Sequence, residues 1–135
     1  MDIVIENLKK RYNDKVVLNN FNYTFKDKTI SFIMGASGVG KTTLIKILMG
    51  LVQADDGKVI GINNKKISVV FQEDSLCENL SVLLNIKLVC ENISNLEIEK
   101  SLELLDLKDC MHKRVRELSG GMKRRIAIIR ALLYD

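Results

Sequence analysis

The sequence predicts an α/β fold with an antiparallel β portion at the N-terminus, a core around a glycine-rich loop, and a helical subdomain. Three observations predict this fold. β-prone apolar runs fill most of residues 2–34. A glycine-rich loop at residues 35–43 follows a short apolar run and precedes apolar residues at helical spacing. Residues 76–109 again carry apolar residues at helical spacing.

The N-terminal β portion is predicted to contain three strands. They are expected around Ile3, Ile5 and Leu8, over residues 16–25, and over residues 29–34. A polar turn, Lys-Asp-Lys, separates the last two strands. Tyr12 lies in the polar connection of residues 11–14, where an exposed ring could stack on a base. Taken alone, Tyr12 is interpreted as a half-buried surface tyrosine.

Residues 35–43, called here the phosphate loop, read G-A-S-G-V-G-K-T-T and match G-x-x-x-x-G-K-[ST] at every fixed position. Glycines let main-chain N–H groups approach an anion closely, and the following helix adds its positive N-terminal end. Lys41 supplies a charge for the β- and γ-phosphates, and the Thr42 hydroxyl can bind Mg²⁺. The predicted phosphate contacts are Gly35, Ala36, Ser37, Gly38, Val39, Gly40, Lys41, Thr42 and Thr43. An ordinary glycine turn before an amphipathic helix leaves the placement of the lysine and threonine unexplained.

The stretch after the predicted phosphate-loop helix is short and β-prone. A turn is expected at residues 54–57, followed by strands over residues 58–62 and 67–71. Gln72 follows the second of these, which places an amide at the carboxyl edge of the sheet, where α/β proteins collect ligands. From this position alone, a surface glutamine is the expected interpretation.

Two helices are predicted between residues 76 and 109. Ser81 can cap the first, which is expected to run to residue 89. Ser94 and Glu97 form a capping box at the start of the second. The apolar stripe of the second helix is formed by Ile98, Leu102, Leu105 and Leu107.

Residues 118–125, called here the signature motif, read L-S-G-G-M-K-R-R. Ser119 is a natural N-cap, and Gly120 and Gly121 allow close approach of the backbone at the start of a helix. The apolar face of that helix is predicted to contain Met122, Ile126, Ile129 and Leu133. The spacing alone supports equally a second anion site and a capped helix that binds nothing.

Composition indicates a globular protein that is not built into a membrane. Hydrophobic residues make up 47% and charged residues 28% of the 135 residues, and no apolar run approaches the length of a membrane span. The N-terminus lacks the features of a signal peptide, so a cytoplasmic location is expected. The three cysteines fit neither a disulfide framework nor a zinc site. The net charge of +4 is mild and is interpreted as a solvated face, so no nucleic-acid partner is expected.

Together, the motifs resemble those of the nucleotide-binding domain of ABC transporters. The phosphate loop resembles the Walker A motif of that family, the signature motif resembles its defining sequence, and Gln72 resembles the glutamine of its Q-loop. Tyr12 matches by position the aromatic residue that stacks on adenine. The short segment between the phosphate loop and Gln72, with F-Q-E-D at residues 71–74, is most similar to importer ATPases of the nitrate, sulfonate and taurine type.

The resemblance implies a P-loop ATPase that uses ATP and Mg²⁺ and works as a head-to-tail dimer. ATP is then held between the phosphate loop of one domain and Ser119, Gly120 and Gly121 of the other. Gln72 is expected to sense the γ-phosphate and Mg²⁺, with Thr42 as the second metal-binding residue.

The resemblance also implies how the chain is organised and where it acts. It divides the chain into residues 1–75 (β portion and ATP-binding core), 76–118 (helical subdomain) and 119–135 (signature motif and its helix). The helical subdomain is expected to dock on transmembrane permease subunits. The chain is then an ATP-binding subunit that couples ATP hydrolysis to solute transport and lies at the inner face of the cell membrane.

One departure from the family leaves alternatives open. The sequence ends before the Walker B aspartate, the catalytic glutamate and the switch histidine, and His112 precedes the signature motif. We therefore expect the C-terminal part of the core to be missing and little hydrolysis by this chain alone. The alternatives are a catalytically incomplete regulatory module and an ABC protein that acts on nucleic acid or ribosomes. A GTPase is disfavoured, because residues 63–66, N-N-K-K, lack the aspartate of a base-reading N-K-x-D.

Overall fold

The computed structural model describes residues 1–63, 65–90 and 92–134. Within it, the contacts between Cα atoms divide the chain into two compact units, Met1–Lys65 and Lys66–Asp135. The predicted division of the chain into residues 1–75, 76–118 and 119–135 stays a prediction.

Over residues 1–63 and 65, the first unit is an antiparallel sheet with one helix. Its strands are β1 (Ile3–Tyr12), β2 (Lys15–Phe25) and β3 (Asp56–Ile60), in the order β2-β1-β3, and its helix is α1 (Lys41–Leu48). Its core is formed by the buried side chains of Ile5, Leu8, Leu18 and Leu44. The predicted first two strands and the predicted helix after the phosphate loop are confirmed.

A tight hairpin joins β1 to β2. Strand β1 continues to Tyr12, so the polar connection predicted over residues 11–14 shortens to a two-residue turn, Asn13-Asp14. Asn13 adopts a left-handed conformation with φ of 51°, which asparagine tolerates better than most residues do. The turn sets the register in which Tyr12 lies opposite Lys15.

The predicted strand before the phosphate loop is wrong. Residues 29–34 form no strand, and Ile30, Phe32 and Met34 are 86%, 84% and 88% exposed. A strand needs hydrogen-bonding partners, whatever its intrinsic preference. Over the described ranges, the sheet consists of β1, β2 and β3 alone, and none of them pairs with this segment. The phosphate loop is therefore preceded by an irregular segment rather than a buried strand.

The strands predicted on either side of residues 63–66 have different outcomes. The strand expected over residues 58–62 exists as β3, shifted two residues towards the N-terminus because it pairs with β1. The strand expected over residues 67–71 is absent, again because no described strand pairs with it. The α/β character is thus present in partial form, as an antiparallel sheet and several helices.

The second unit is helical. Its helices are α2 (Val82–Lys87), α3 (Asn95–Glu103) and α4 (Gly120–Leu133), and two short 3₁₀ turns lie between α3 and α4. All three helices bury apolar side chains in one shared core. The largest completely buried members are Val82, Ile86, Ile98, Leu102, Leu107, Val115 and Ile126. The apolar stripe predicted for α4 is confirmed. For α3 the stripe is confirmed at Ile98 and Leu102, whereas Leu105 and Leu107 contribute to the same core from beyond the end of the helix at Glu103.

All three predicted N-caps are present. The hydroxyl oxygens of Ser81, Ser94 and Ser119 accept hydrogen bonds from backbone N–H groups in the first turns of α2, α3 and α4. At α3 the capping box is complete, because the Glu97 carboxylate accepts from the Ser94 N–H at 3.0 Å. Helix α2 ends at Lys87 rather than at residue 89.

Candidate functional site

The phosphate loop takes a shape that only glycine allows at position 40. Gly40 has φ of 102°, in the left-handed region, and a Cβ atom there would lie 2.8 Å from the Val17 carbonyl oxygen. Gly38 is also left-handed, with φ of 81°. The loop is thus pressed against β2 immediately before α1 begins.

Lys41 is the first residue of α1, and its side chain folds back over the phosphate loop. Its Nζ donates hydrogen bonds to the carbonyl oxygens of Gly35 and Ala36, at 2.8 and 2.7 Å. These two bonds hold the ammonium group beside the loop. Gly35 and Ala36 thus contact Lys41 through their backbone carbonyl groups.

The phosphate loop and the β1–β2 hairpin line one open depression of about 870 Å³. This volume falls within the range of about 300–1,000 Å³ typical of ligand sites. Its lining residues are Tyr12, Asn13, Asp14, Lys15, Val17, Ser37, Gly38, Gly40, Lys41, Thr42 and Thr43. The structure therefore brings Tyr12 together with six of the nine predicted phosphate contacts, and Gly35, Ala36 and Val39 do not line this depression. Val39 instead lines a neighbouring apolar pocket beside β2.

Tyr12 offers a partly exposed ring to this depression. It is 44% exposed, and the Lys10 ammonium group lies 5.4 Å from the centroid of its ring. The distance is that of a cation–π contact, which helps to fix the ring at the end of β1. A second flat group could stack on the ring face that Lys10 leaves open.

The depression carries both signs of charge. Its cations are Lys15 and Lys41, and its acidic residue is Asp14. The Asp14 carboxylate lies 3.5 Å from the Arg11 guanidinium group, which partly neutralises it. Sequence reasoning missed Lys15. The Asn-Asp pair after Tyr12 was the available signal, because a two-residue turn there places Lys15 opposite Tyr12.

Gln72 lies in the second unit, on an exposed segment that α4 holds in place. Arg124 donates to the Phe71 carbonyl oxygen and lies 3.6 Å from the Asp74 carboxylate. Arg130 donates to the carbonyl oxygens of Ser75, at 2.9 Å, and of Asp74, at 3.3 Å. The main chain on both sides of Gln72 is therefore fixed by two arginines of one helix, and sequence reasoning did not identify either.

Asn85 is a buried polar residue that fixes the next part of the same segment. It is completely buried, and its Oδ1 accepts a hydrogen bond from the Cys77 N–H at 2.7 Å. Its Nδ2 donates to the carbonyl oxygens of Cys77 and Ser81, at 3.0 and 2.9 Å. The side chain is thus satisfied, as a buried amide must be. Its position beside Val82 and Ile86 on the buried face of α2 was the missed signal.

The signature motif begins α4, as predicted. The Ser119 hydroxyl caps the helix by accepting from the Met122 N–H at 3.3 Å. Gly120 and Gly121 form the first turn, both are exposed, and an added Cβ atom at either would meet no atom within 4 Å. Neither packing nor an unusual φ within the described residues explains these two glycines.

The donor set of the first unit fits a phosphate-bound metal better than a protein-bound one. The described residues contain no group of three or more His, Cys, Asp or Glu side chains that could hold a metal ion. Thr42 lines the depression, and its hydroxyl is one oxygen ligand of the kind that Mg²⁺ takes when phosphates supply others. No described helix has the length and apolar character needed to cross a membrane.

Comparison with known proteins gives consistent matches. The Clostridioides difficile (strain 630) spermidine/putrescine import ATP-binding protein PotA is 36% identical, over 98% of this chain and 43% of the relative. The Mesostigma viride sulfate/thiosulfate import ATP-binding protein CysA is 34% identical, over 100% of this chain and 43% of the relative. The Mannheimia succiniciproducens zinc import ATP-binding protein ZnuC is 36% identical, over 97% of this chain and 50% of the relative. The chain thus spans half or less of the length of these relatives.

The names of these relatives cover several solutes, and they give no specific support to the narrower resemblance to nitrate, sulfonate and taurine importers. The match at the level of the family is broader. Residues 18–135 match the sequence pattern of the ABC transporter family. The matched residues contain the phosphate loop, Gln72 and the signature motif. This chain belongs to the ABC transporter family.

Proposed function

We propose that this chain is the ATP-binding part of an ABC transporter subunit, in which ATP binding and hydrolysis drive the transport of a solute. One observation carries the proposal: Tyr12 and the phosphate loop line the same depression. An aromatic ring beside a loop of this kind suits a ligand with a flat base at one end and phosphates at the other. The relatives named above are import ATP-binding proteins, which supports the same function.

Each residue of the depression has a distinct role in this proposal. Tyr12 stacks on adenine, and the N–H groups of the phosphate loop and of the first turn of α1 bind the phosphates. Lys41 exchanges the carbonyl oxygens of Gly35 and Ala36 for β- and γ-phosphate oxygens. The Thr42 hydroxyl would hold Mg²⁺, and the ion would supply positive charge that offsets the charge of the phosphates.

The signature motif is proposed to bind the nucleotide of a second ABC domain. Gly120 and Gly121 leave open space in front of the first turn of α4, where helix N–H groups lack partners within the helix. Glycine in a helix costs about 0.5–1 kcal/mol relative to alanine. A close approach by phosphates from a partner domain explains why such residues stand there.

The second unit is proposed to dock on transmembrane permease subunits. Four leucines in helices α2 and α3 or at their C-terminal ends have side chains that are about half exposed or more. These residues are Leu84, Leu88, Leu96 and Leu104. Exposed apolar side chains of this kind are common at protein interfaces. The chain would then lie at the cytoplasmic face of the membrane without spanning it.

A second candidate function is an ATP-binding module that does not hydrolyse ATP. One observation favours it: the acidic residue of the depression, Asp14, is paired with Arg11. Hydrolysis needs a group that orients water towards the γ-phosphate. Asp14 in that ion pair is poorly suited to this role.

Turnover of MgATP by the full protein that carries this sequence distinguishes the two candidates. The matched variants are Lys41→Ala, which removes the proposed phosphate ligand, and Lys58→Ala, which removes a lysine on β3 that pairs with Glu6. Turnover lost only in Lys41→Ala supports the transporter ATPase. ATP binding without turnover supports the second candidate, and absence of ATP binding contradicts both.

A further inference from the structure

We propose that Lys15 is a second phosphate-binding cation of the site, acting from the β1–β2 hairpin as Lys41 acts from the phosphate loop. The proposal rests on the proposed function, because it adds a residue to the same nucleotide site. The hairpin would then bind the base through Tyr12 and make the affinity depend on the number of phosphates through Lys15.

The hairpin register puts Lys15 on the same side as Tyr12. Lys15 is the first residue of β2 and lies directly opposite Tyr12 across the Asn13-Asp14 turn. Residues that face each other on antiparallel strands project their side chains to the same face of the sheet. The proposed base platform and the ammonium group therefore share one face of the hairpin, and both line the depression.

The ammonium group of Lys15 reaches the phosphate loop. Its Nζ lies 4.0 Å from the position that a Cβ atom on Gly38 would occupy. Gly38 is the central left-handed residue of the loop, and Ser37 and Lys41 line the same depression beside it. Phosphates bound by this loop would lie within reach of the flexible lysine side chain, which forms charge-assisted hydrogen bonds with phosphate oxygens.

The local charges leave Lys15 available to an anion. Its acidic neighbour Asp14 pairs with Arg11. Lysines on β1 are engaged, since Lys9 and Lys10 pair with Asp56 and Asp55. In residues 1–63, 65–90 and 92–134, the ion pairs do not include Lys15. Its charge is therefore not already neutralised by a carboxylate of the described chain.

This role predicts a contribution that grows with the phosphate chain. An ammonium group at the phosphate loop gains more from the charge of ATP than from that of AMP, and nothing from adenosine. Because Lys15 is exposed, solvent and salt weaken the interaction. The loss of affinity on removing Lys15 should therefore be larger for ATP than for AMP and larger at low ionic strength.

Calorimetric titrations with ATP, AMP and adenosine test the proposal on the wild type, Lys15→Ala, Lys15→Arg and Lys58→Ala. Lys58 is the control because it lies on β3, on the side of β1 away from β2. For Lys15→Ala at low salt, we expect about a threefold to tenfold loss of ATP affinity, in the range of a partly exposed charge contact. AMP affinity should change less, adenosine affinity should be unchanged, and Lys15→Arg should restore ATP binding.

Two results would overturn the proposal while leaving the ATP site intact. One is unchanged ATP affinity in Lys15→Ala when Lys41→Ala loses it. The other is an equal loss for ATP, AMP and adenosine, which would assign Lys15 to the base or to the hairpin itself. A wild type that binds none of the three ligands would refute both this inference and the proposed function. Thermal unfolding of each variant shows whether it is folded.

Discussion

Arg130 of α4 donates a hydrogen bond to the carbonyl oxygen of Ser75 at 2.9 Å, which ties the helix of the signature motif to the segment that carries Gln72. Arg124, six residues earlier in the same helix, binds the Phe71 carbonyl oxygen on the other side of Gln72. The segment has no regular secondary structure, so these side chains replace the backbone bonds that a strand or helix would provide. The shape of this segment therefore depends on α4.

Arg130→Ala should loosen this segment. It removes two charge-assisted bonds to carbonyl groups, so we expect a loss of about 1–3 kcal/mol in the free energy of unfolding of the second unit. Hydrogen exchange should become faster for backbone amides in residues 72–76. The control is Arg116→Ala, at an exposed arginine in a 3₁₀ turn. Equal exchange rates in wild type and Arg130→Ala would show that the arginine does not hold the segment.

Gly121→Ala should separate stability from association. An alanine methyl group meets no atom within 4 Å, so the helix should gain about 0.5–1 kcal/mol, less at its frayed first turn. If the signature motif receives the phosphates of a second domain, the same methyl group should weaken ATP-driven dimerisation. Light scattering with MgATP on a slow-hydrolysis background measures the dimer, with Ser119→Arg as the variant expected to abolish it. A more stable variant with an unaffected dimer would argue against the sandwich.

Glu97 should give the second unit an acid-sensitive contribution to stability. The Ser94 hydroxyl and then the Ser94 N–H, by donating hydrogen bonds to the carboxylate, lower the pKa of Glu97. Because the folded pKa is below the unfolded one, the contribution is complete above the ordinary glutamate pKa and is lost as the pH falls through the lowered value.

Urea unfolding of wild type and Glu97→Gln at a series of pH values measures this contribution. The difference between their midpoints should be constant near neutral pH and should shrink as the pH falls below the ordinary glutamate pKa and through the lowered pKa of Glu97. Glu73→Gln is the control in the same unit, because the ion pairs of the described residues do not include Glu73. A difference that does not change on acidification would exclude the charged capping box as its source.

Tyr12→Ala should weaken ATP binding without affecting phosphate recognition. Loss of a stacked base costs about 1–3 kcal/mol in single-strand nucleic-acid systems, and we expect a similar loss of ATP affinity. Inorganic triphosphate has no base, so its affinity should not change. Competition between the two ligands on one protein sample gives both values. Equal losses would show that Tyr12 supports the hairpin rather than the base.

The features that sequence reasoning predicted correctly are local. The Ser94–Glu97 capping box and the helix after the phosphate loop depend on neighbouring residues, and the structure contains both. The predicted strand over residues 29–34 failed because a strand depends on a partner elsewhere in the chain. Local preference describes what a segment can form, whereas pairing decides whether it does.

The same distinction applies to the candidate site. The phosphate loop and Tyr12 were found from spacing and position, but their common depression is a property of the folded hairpin. Arg130 was missed because its contacts depend on tertiary placement, and a lone arginine gives no sequence signal. Lys15 was missed because the two-residue Asn-Asp turn was not recognised as the start of a tight hairpin. Lys15 becomes a candidate only when the turn fixes its register opposite Tyr12.

The most direct test of the central claim is a calorimetric titration of MgATP into wild type and Lys41→Ala. Lys41 folds over the phosphate loop in the depression that also contains Tyr12, so its loss should remove most of the ATP affinity. Lys58→Ala should bind as the wild type does. We predict saturable binding by the wild type and nearly none by Lys41→Ala. Near-equal affinities in the two proteins would contradict the account.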